Sequence, residues 1–194
     1  MIRRARSVAV LGFLLAGAIG IISSTQTWLT VARADGGEEL LVPGASALPL
    51  LAPLSLAVLA LGAALSIVGR VLRYVFAVLA AAGAVLLITM TVPLVFAPPT
   101  HAVAPTVTEA TGLAGDQAMV DIIAGITPTT WPATALVAWV LLITVSVFTI
   151  VTATRWKSGG RRYRAEADDH ARRTGPLDPI DSWDELSHGT DPTR

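Results

Sequence analysis

Histidines and carboxylates are the side chains of this sequence that could support acid–base catalysis or bind a metal. The three histidines, His101, His170 and His188, are far apart in the chain. Asp168, Asp169 and His170 are consecutive, but neighbouring residues of a helix point in different directions, which disfavours a shared metal. The chain has no cysteine and contains neither a phosphate-binding glycine loop nor a nucleophile elbow. We therefore expect no catalytic residue, no metal, no cofactor and no enzymatic activity.

A run of acidic and apolar residues near the C-terminus indicates protein recognition instead. Residues 177–191 read LDPIDSWDELSHGTD, and Ser182 and Glu185 have the spacing of a capping box that starts a helix. The predicted helix, 183–188, is too short to be stable by itself. We expect it to dock on this protein's own cytoplasmic surface or on a partner protein. The candidate docking residues are Ile180, Ser182, Trp183, Glu185 and Leu186.

Most of the remaining sequence is too apolar for a soluble domain. Of its 194 residues, 53% are hydrophobic and 14% are charged. A bilayer-spanning helix needs roughly 20 mostly apolar residues, and four uncharged stretches reach that length, at about 7–25, 48–69, 74–96 and 132–154. The sequence predicts an all-α membrane protein with a four-helix transmembrane domain, residues 1–154. A tail, residues 155–194, begins with a basic juxtamembrane stem.

Lysine and arginine are concentrated in alternate connections. Thirteen of the 14 precede the first span, lie between the second and third spans, or follow the fourth span, and only Arg33 lies in another connection. Basic residues are retained on the cytoplasmic side of a membrane. The pattern therefore predicts a multi-pass protein of the cytoplasmic (inner) membrane, with N-in/C-in topology and a cytoplasmic tail.

The N-terminal segment also has features of a cleaved secretory signal. Three arginines precede an apolar core, and Ala-Arg-Ala at residues 32–34 resembles a small-residue cleavage site. The apolar core is long for a signal, and Trp28 is poorly placed ahead of the site. These features favour an uncleaved first span, whereas cleavage would leave three spans.

The two longer connections are expected on the extracytoplasmic side of the membrane. The first, about 26–47, is predicted to form a turn or hairpin at the surface. The second, about 97–131, opens with APPTHAVAP, whose prolines argue against a helix. Farther along this connection, apolar residues at helical spacing predict a short amphipathic helix on the membrane surface or across the bundle end. They are Met119, Ile122, Ile123 and Ile126.

Small residues predict how the helices pack. Gly12, Ala16, Gly20 and Ser24 recur every four residues along the first span and form a ridge that permits close helix approach within the bundle. Only a few residues separate the second and third spans, which predicts a tight antiparallel hairpin. Pro93 is expected to kink or end the third span.

A second possible site is a path for a small molecule through the bundle. No predicted span contains an ionisable residue, which disfavours an ion-coupled carrier but leaves room for a passive one. The polar run SSTQTW, residues 23–28, would form the mouth of such a path. Its candidate residues are Gln26, Trp28 and Trp139, of which Trp139 falls inside the fourth span. For Trp28, at a span end, anchoring in the headgroup zone is the simpler interpretation.

Three segments of the chain resemble a known family. They are SSTQTWLTV after the first span, PLSLAVLALGAALSIVGRVLRYVFAVLAAAGAVLL through the middle spans, and DSWDELSHGTDPT near the end. Together they resemble the actinobacterial tryptophan-associated (Trp biosynthesis-associated) transmembrane protein family. The resemblance implies a four-span membrane protein whose gene lies beside tryptophan-biosynthesis genes. It implies no activity and transfers no catalytic residue.

Two functions follow as hypotheses. The first is a non-enzymatic accessory protein linked to tryptophan metabolism, embedded in the lipid bilayer, whose tail holds a cytoplasmic protein partner. The alternative is a small permease or exporter for tryptophan or a related aromatic metabolite. An enzyme acting on a lipid is disfavoured because no catalytic grouping is present, and no nucleic-acid partner is expected.

Overall fold

The computed structural model describes residues 2–153 of the chain. These residues form seven helices and three strands. The helices are α1 (Ile2–Thr25), α2 (Gly44–Ala47), α3 (Leu51–Ala64), α4 (Arg70–Phe96), α5 (Thr100–Thr111), α6 (Asp116–Ile122) and α7 (Trp131–Thr152). The strands are β1 (Thr27–Arg33), β2 (Leu40–Pro43) and β3 (Ile123–Pro128).

Within residues 2–153, three helices are long and apolar enough to cross a bilayer. They are α1 over Ala5–Thr25, α4 and α7, and they confirm three of the four predicted spans. The second predicted span is shorter than expected, because α3 has 14 residues and rises only about 21 Å. The apolar residues after α3 enter tight turns, in which Ser66 donates its amide to Ala63 and Ile67 donates to Ala64.

Pro93 does not end α4, which continues to Phe96. The amide of Ala97 then donates to the Pro93 carbonyl and closes the last turn. Of the two predicted effects of Pro93, an end of the helix at this residue is wrong, and a kink there stays a prediction.

In the bundle, α1 packs against both α3 and α7, and α7 also packs against α4. The predicted tight hairpin between the second and third spans is wrong, since α3 and α4 make little contact beyond their short connection. The small residues explain this arrangement. Gly62 of α3 lies against Phe13 of α1, and the buried alanines of α4 lie on one face of that helix: Ala77, Ala80 and Ala84.

The predicted ridge of small residues on α1 is confirmed as a packing surface. A Cβ atom on Gly12 would lie 2.6 Å from Val145 Cγ2, and one on Gly20 would lie 2.2 Å from Ser55 Oγ. Ala16 between them is fully buried. Any larger side chain at either glycine would therefore push α1 away from α7 or α3.

A three-stranded antiparallel sheet joins the two long connections, in the order β2-β1-β3. Strand β1 pairs with β2 through Val31 and Leu40, which confirms the hairpin predicted for the first connection. It pairs with β3 through Val31 and Ile126. Both connections consequently lie at the same end of the bundle. The all-α prediction is wrong here, and the protein is mostly helical with a small sheet.

The second connection differs from its prediction in two places. Helix α5 forms across the proline-rich segment and contains Pro105. Proline has no backbone N–H and cannot donate a helix hydrogen bond. The burial of Ala102, Val103 and Val107 on one face of α5 offsets this loss. The predicted amphipathic helix ends at Ile122, since Ile123 and Ile126 belong to β3. At these residues the chain pairs with the free edge of β1, which supplies its hydrogen-bond partners and favours a strand over a helix.

Candidate functional site

Gln26, the first residue of the predicted path, lies in the turn between α1 and β1. Its side chain is half-buried, and Nε2 donates to the Thr25 hydroxyl at 3.2 Å. Its carbonyl accepts the amide of Gly44 at 2.9 Å. Gln26 therefore helps to hold the chain entering α2 against the end of α1.

Trp28 of β1 is fully buried, so the prediction that its ring anchors the chain among lipid headgroups is wrong. The indole Nε1 donates to the carbonyl and to the hydroxyl of Ser23, both at 2.9 Å. Gly44 packs so closely that an added Cβ would lie 2.7 Å from Nε1. The turn at Gln26 folds β1 back over α1, and Ser23 supplies the acceptors that make burial of the indole favourable.

Trp139 is also fully buried, as expected for a residue inside the bundle. The Cη2 end of its ring would lie 2.5 Å from a Cβ on Gly20, beside Ser55 of α3. Its ring therefore fills the junction of α1, α3 and α7. Within residues 2–153, the Trp139 Nε1 atom has no hydrogen-bond partner.

The two buried indoles occupy successive levels along α1. Trp28 is held at Ser23 and Trp139 lies at Gly20, and residues three apart are neighbours on a helix surface. Gln26 lies at the sheet end of this series. The structure thus places the three residues of the predicted path in order from the sheet towards the bundle interior. Whether they contact a ligand stays a prediction.

Hydroxyl groups of the helices fall into two sets. Most donate to a backbone carbonyl of their own helix, for example Thr149 to Val145 at 2.7 Å and Thr144 to Val140 at 2.9 Å. Thr91 of α4 and Ser146 of α7 are buried, and within the described part of the chain their hydroxyls have no partner. Nothing in the sequence distinguishes these two from the others, because periodicity gives the helix face and not the acceptor.

Sequence reasoning also missed Ser55, which is fully buried on α3 at the Gly20 and Trp139 contact. Its hydroxyl donates to the Leu51 carbonyl at 2.6 Å. The signal that could have identified it is a lone serine opposite a glycine ridge.

Charged groups separate towards the two ends of the bundle. Among residues 2–153, the six acidic residues all belong to the two connections that share the sheet end: Asp35, Glu38, Glu39, Glu109, Asp116 and Asp121. At the opposite end, Arg73 is buried and donates to the carbonyls of Ala153 and Val68, both at 3.3 Å. Arg6 and Arg70 lie close enough to repel its charge.

Asp35 forms an ion pair with Arg33 in the turn between β1 and β2. Arg33 Nε donates to Asp35 Oδ1 at 3.0 Å, and the Gly37 amide donates to the same oxygen at 3.0 Å. The hydrogen bond from Arg33 and then that from Gly37 hold the pKa of Asp35 below its ordinary value. The pair is exposed to solvent, so it orders this turn without forming a binding site.

The candidate docking residues of the tail, Ile180, Ser182, Trp183, Glu185 and Leu186, lie outside the described residues, as does the predicted helix 183–188. Their role stays a prediction.

A family model described as tryptophan-associated transmembrane protein matches residues 10–193. Comparisons with curated proteins and with solved structures gave no match. The matched region includes α1 from residue 10 onwards, the other three apolar helices, the sheet and the whole LDPIDSWDELSHGTD segment.

Proposed function

The chain belongs to the tryptophan-associated transmembrane protein family, and from this premise we propose that it is a non-enzymatic accessory protein of tryptophan metabolism. In this proposal the helical bundle anchors the protein in the bilayer, and the tail holds a soluble partner at the membrane. The observation that carries the proposal is the reach of the family match. It runs to residue 193 and so includes the predicted recognition segment as part of the family sequence.

The orientation we propose is that both termini lie in the cytoplasm of the cell. Support comes from combining the fold with the charge pattern. Since β1 pairs with β3, the two connections that contain only Arg33 among the basic residues lie at one end of the bundle. The start of α4, with Arg70 and Arg73, lies near the end of α7. Retention of basic residues on the cytoplasmic side supports a cytoplasmic position for the tail.

The packing of the bundle supports a static anchor. Gly12, Gly17, Gly20 and Gly62 all lie where an added Cβ would be closer than 3.0 Å to a neighbouring helix. Helices that approach so closely have little freedom to move past one another without losing many contacts. Such a bundle is suited to hold an attached segment at the membrane.

The tail supplies the recognition chemistry in this proposal. Trp183 and Leu186 are three residues apart, so a helix would present them as one apolar anchor pair. A capped helix of this length gains its stability from the surface on which it docks. Tryptophan is also among the residues that most often dominate the energy of an interface.

The test is in-cell crosslinking of the full-length, membrane-embedded protein, followed by quantification of the proteins captured with it. Trp183→Ala is expected to reduce capture of the partner on the order of tenfold or more, because truncating a central anchor costs about 2 kcal/mol or more. Tyr163→Ala, an aromatic truncation elsewhere in the tail, is the matched control and should leave capture unchanged. Equal capture by the Trp183 variant and the native chain would count against the proposal.

A permease for tryptophan or a related aromatic metabolite is the second candidate. The observation that favours it is the buried Trp139 indole, whose N–H has no acceptor within residues 2–153. The test is the flux of labelled tryptophan and indole in a deletion strain complemented with native protein, Trp139→Phe or Trp28→Phe. A permease predicts restored flux with native protein and reduced flux with Trp139→Phe. Flux that deletion leaves unchanged would eliminate this candidate.

A further inference from the structure

Arginines of two helices meet at the end of the bundle opposite the sheet. Arg6 lies near the start of the spanning part of α1, which runs over Ala5–Thr25, and Arg70 is the first residue of α4. Arg73, in the next turn of α4, donates to the carbonyl of Ala153, directly after α7. Ends of the three long apolar helices therefore meet at this level. In a bilayer that these helices cross, this level is the boundary between hydrocarbon and headgroups.

The three guanidinium groups lie near one another. Arg6 and Arg70 are close enough to Arg73 to repel its charge. Arg73 is buried, and its bonds to the carbonyls of Val68 and Ala153 fix the position of its guanidinium group. Arg6 and Arg70, in contrast, are exposed. A fixed positive charge thus lies beside two accessible guanidinium groups.

Within residues 2–153, no carboxylate lies at this end of the bundle. The acidic residues all belong to the two connections at the sheet end, where Asp35 forms its ion pair with Arg33. Like charges as close as these repel one another, and an anion bound among them replaces part of that repulsion by attraction. The arrangement therefore favours an anionic ligand that reaches Arg6 and Arg70 from outside the bundle.

Apolar residues around the arginines indicate which anion fits. Ile67 precedes α4, Val71 and Leu72 lie in its first turn, and all three side chains are exposed. Exposed apolar groups that are rimmed by charged residues are typical of a surface that binds a membrane or another partner. A phospholipid matches both features. Its phosphate accepts paired hydrogen bonds from a guanidinium group, and its acyl chains cover apolar side chains.

We propose that Arg6 and Arg70 bind the phosphate of an anionic phospholipid, with Arg73 adding positive charge and with Val71 and Leu72 contacting the acyl chains. A headgroup of net negative charge is favoured, because the amine of a zwitterionic lipid offsets its phosphate. Inorganic phosphate would meet the same arginines but would gain nothing from the apolar side chains. The site belongs to the bundle alone and does not depend on which face of the membrane this end occupies.

The test is native mass spectrometry of the full-length protein released from detergent micelles, with phosphatidylglycerol or phosphatidylethanolamine as the added lipid. The masses of the bound forms give a Kd for each lipid, and we expect phosphatidylglycerol to bind more tightly. The double variant Arg6→Gln with Arg70→Gln is expected to raise the phosphatidylglycerol Kd on the order of tenfold or more, because each basic group beside an anionic headgroup contributes about 1 kcal/mol. Arg70→Gln alone is the milder variant, with a Kd roughly fivefold above native.

The tail supplies a matched control. Arg161→Gln with Arg162→Gln removes the same charge outside the described residues, and we expect it to have the smaller effect on the Kd. An equal or larger loss in this control would overturn the site, since net charge alone would then explain binding. Equal native Kd values for the two lipids would overturn the preference for an anionic headgroup. Displacement of the lipid by excess inorganic phosphate would overturn the contacts of Val71 and Leu72 with its acyl chains.

Discussion

Trp28 and Trp139 illustrate, residue by residue, how local partners determine what a buried indole does. Both are fully buried and lie at successive levels of α1. The N–H of Trp28 is bonded twice to Ser23, so this residue fastens the sheet to the end of α1. The N–H of Trp139 has no partner within residues 2–153. Trp28 is therefore bonded to the end of α1, whereas Trp139 is held by packing alone among these residues.

We predict that Trp28→Phe destabilises the protein. The substitution leaves the carbonyl and hydroxyl of Ser23 without their donor, and a lost hydrogen bond of this kind costs about 1–3 kcal/mol. Reversible unfolding in mixed micelles, followed by circular dichroism, measures the change in the free energy of unfolding. Trp131→Phe, at a half-buried indole at the start of α7, is the control and should have the smaller effect. A smaller loss for Trp28→Phe than for Trp131→Phe would contradict the role of Ser23.

The helices owe their arrangement to small residues on facing surfaces. Gly20 of α1 admits both Ser55 of α3 and the ring of Trp139 from α7. Because α1 has such contacts on two sides, it lies between α3 and α7. The short α3–α4 connection joins its helices in sequence without packing them together, since a turn limits only the distance between helix ends.

Substitutions at Gly20 and Gly83 test how closely the helices pack. Gly20→Ala would place a Cβ 2.2 Å from Ser55 Oγ and 2.5 Å from Trp139 Cη2. Relief of this overlap requires α1 to move, and overpacking typically costs about 1–3 kcal/mol. Gly83→Ala, on α4, meets no atom within 4 Å and is expected to be neutral or slightly stabilising. The free energy of unfolding is measured for both variants in mixed micelles. Equal changes at both positions would show that α1 is not closely packed.

Within residues 2–153, acidic residues and the buried arginine lie towards opposite ends of the bundle. Pairing of β1 with β3 gathers both long connections at one end, together with every acidic residue between positions 2 and 153. Arg70 and Arg73 lie with the end of α7 at the other. The proposed orientation follows from this separation, because basic residues near a span are retained on the cytoplasmic side of the bilayer.

Cysteine labelling tests that orientation, and the native chain has no cysteine to interfere. Gly36→Cys lies in the exposed β1–β2 turn, and Ser66→Cys lies in the turn after α3. A membrane-impermeant maleimide added to intact cells is expected to label Gly36→Cys and not Ser66→Cys. Permeabilised cells, in which both should react, provide the control. Labelling of Ser66→Cys alone in intact cells would reverse the orientation.

By itself the sequence determined the features that depend on composition and local period. These are the long apolar helices, the charge separation, the small-residue ridge of α1 and the interior position of Trp139. A helix that crosses a bilayer must contain a long apolar run, which is visible in the sequence. Helical spacing shows which residues share a face. The hairpin of the first connection also follows from local pattern.

Only the tertiary structure decided which distant segments meet. Strand β3 forms because β1 offers a free edge, α5 tolerates Pro105 because its other face is buried, and Trp28 enters the core because Ser23 is there to accept its N–H. Helix α3 packs on α1 and not on α4 because the surfaces of α3 and α1 match. In each case the stabilising partner is supplied by a neighbour in space, which spacing along one chain segment cannot reveal.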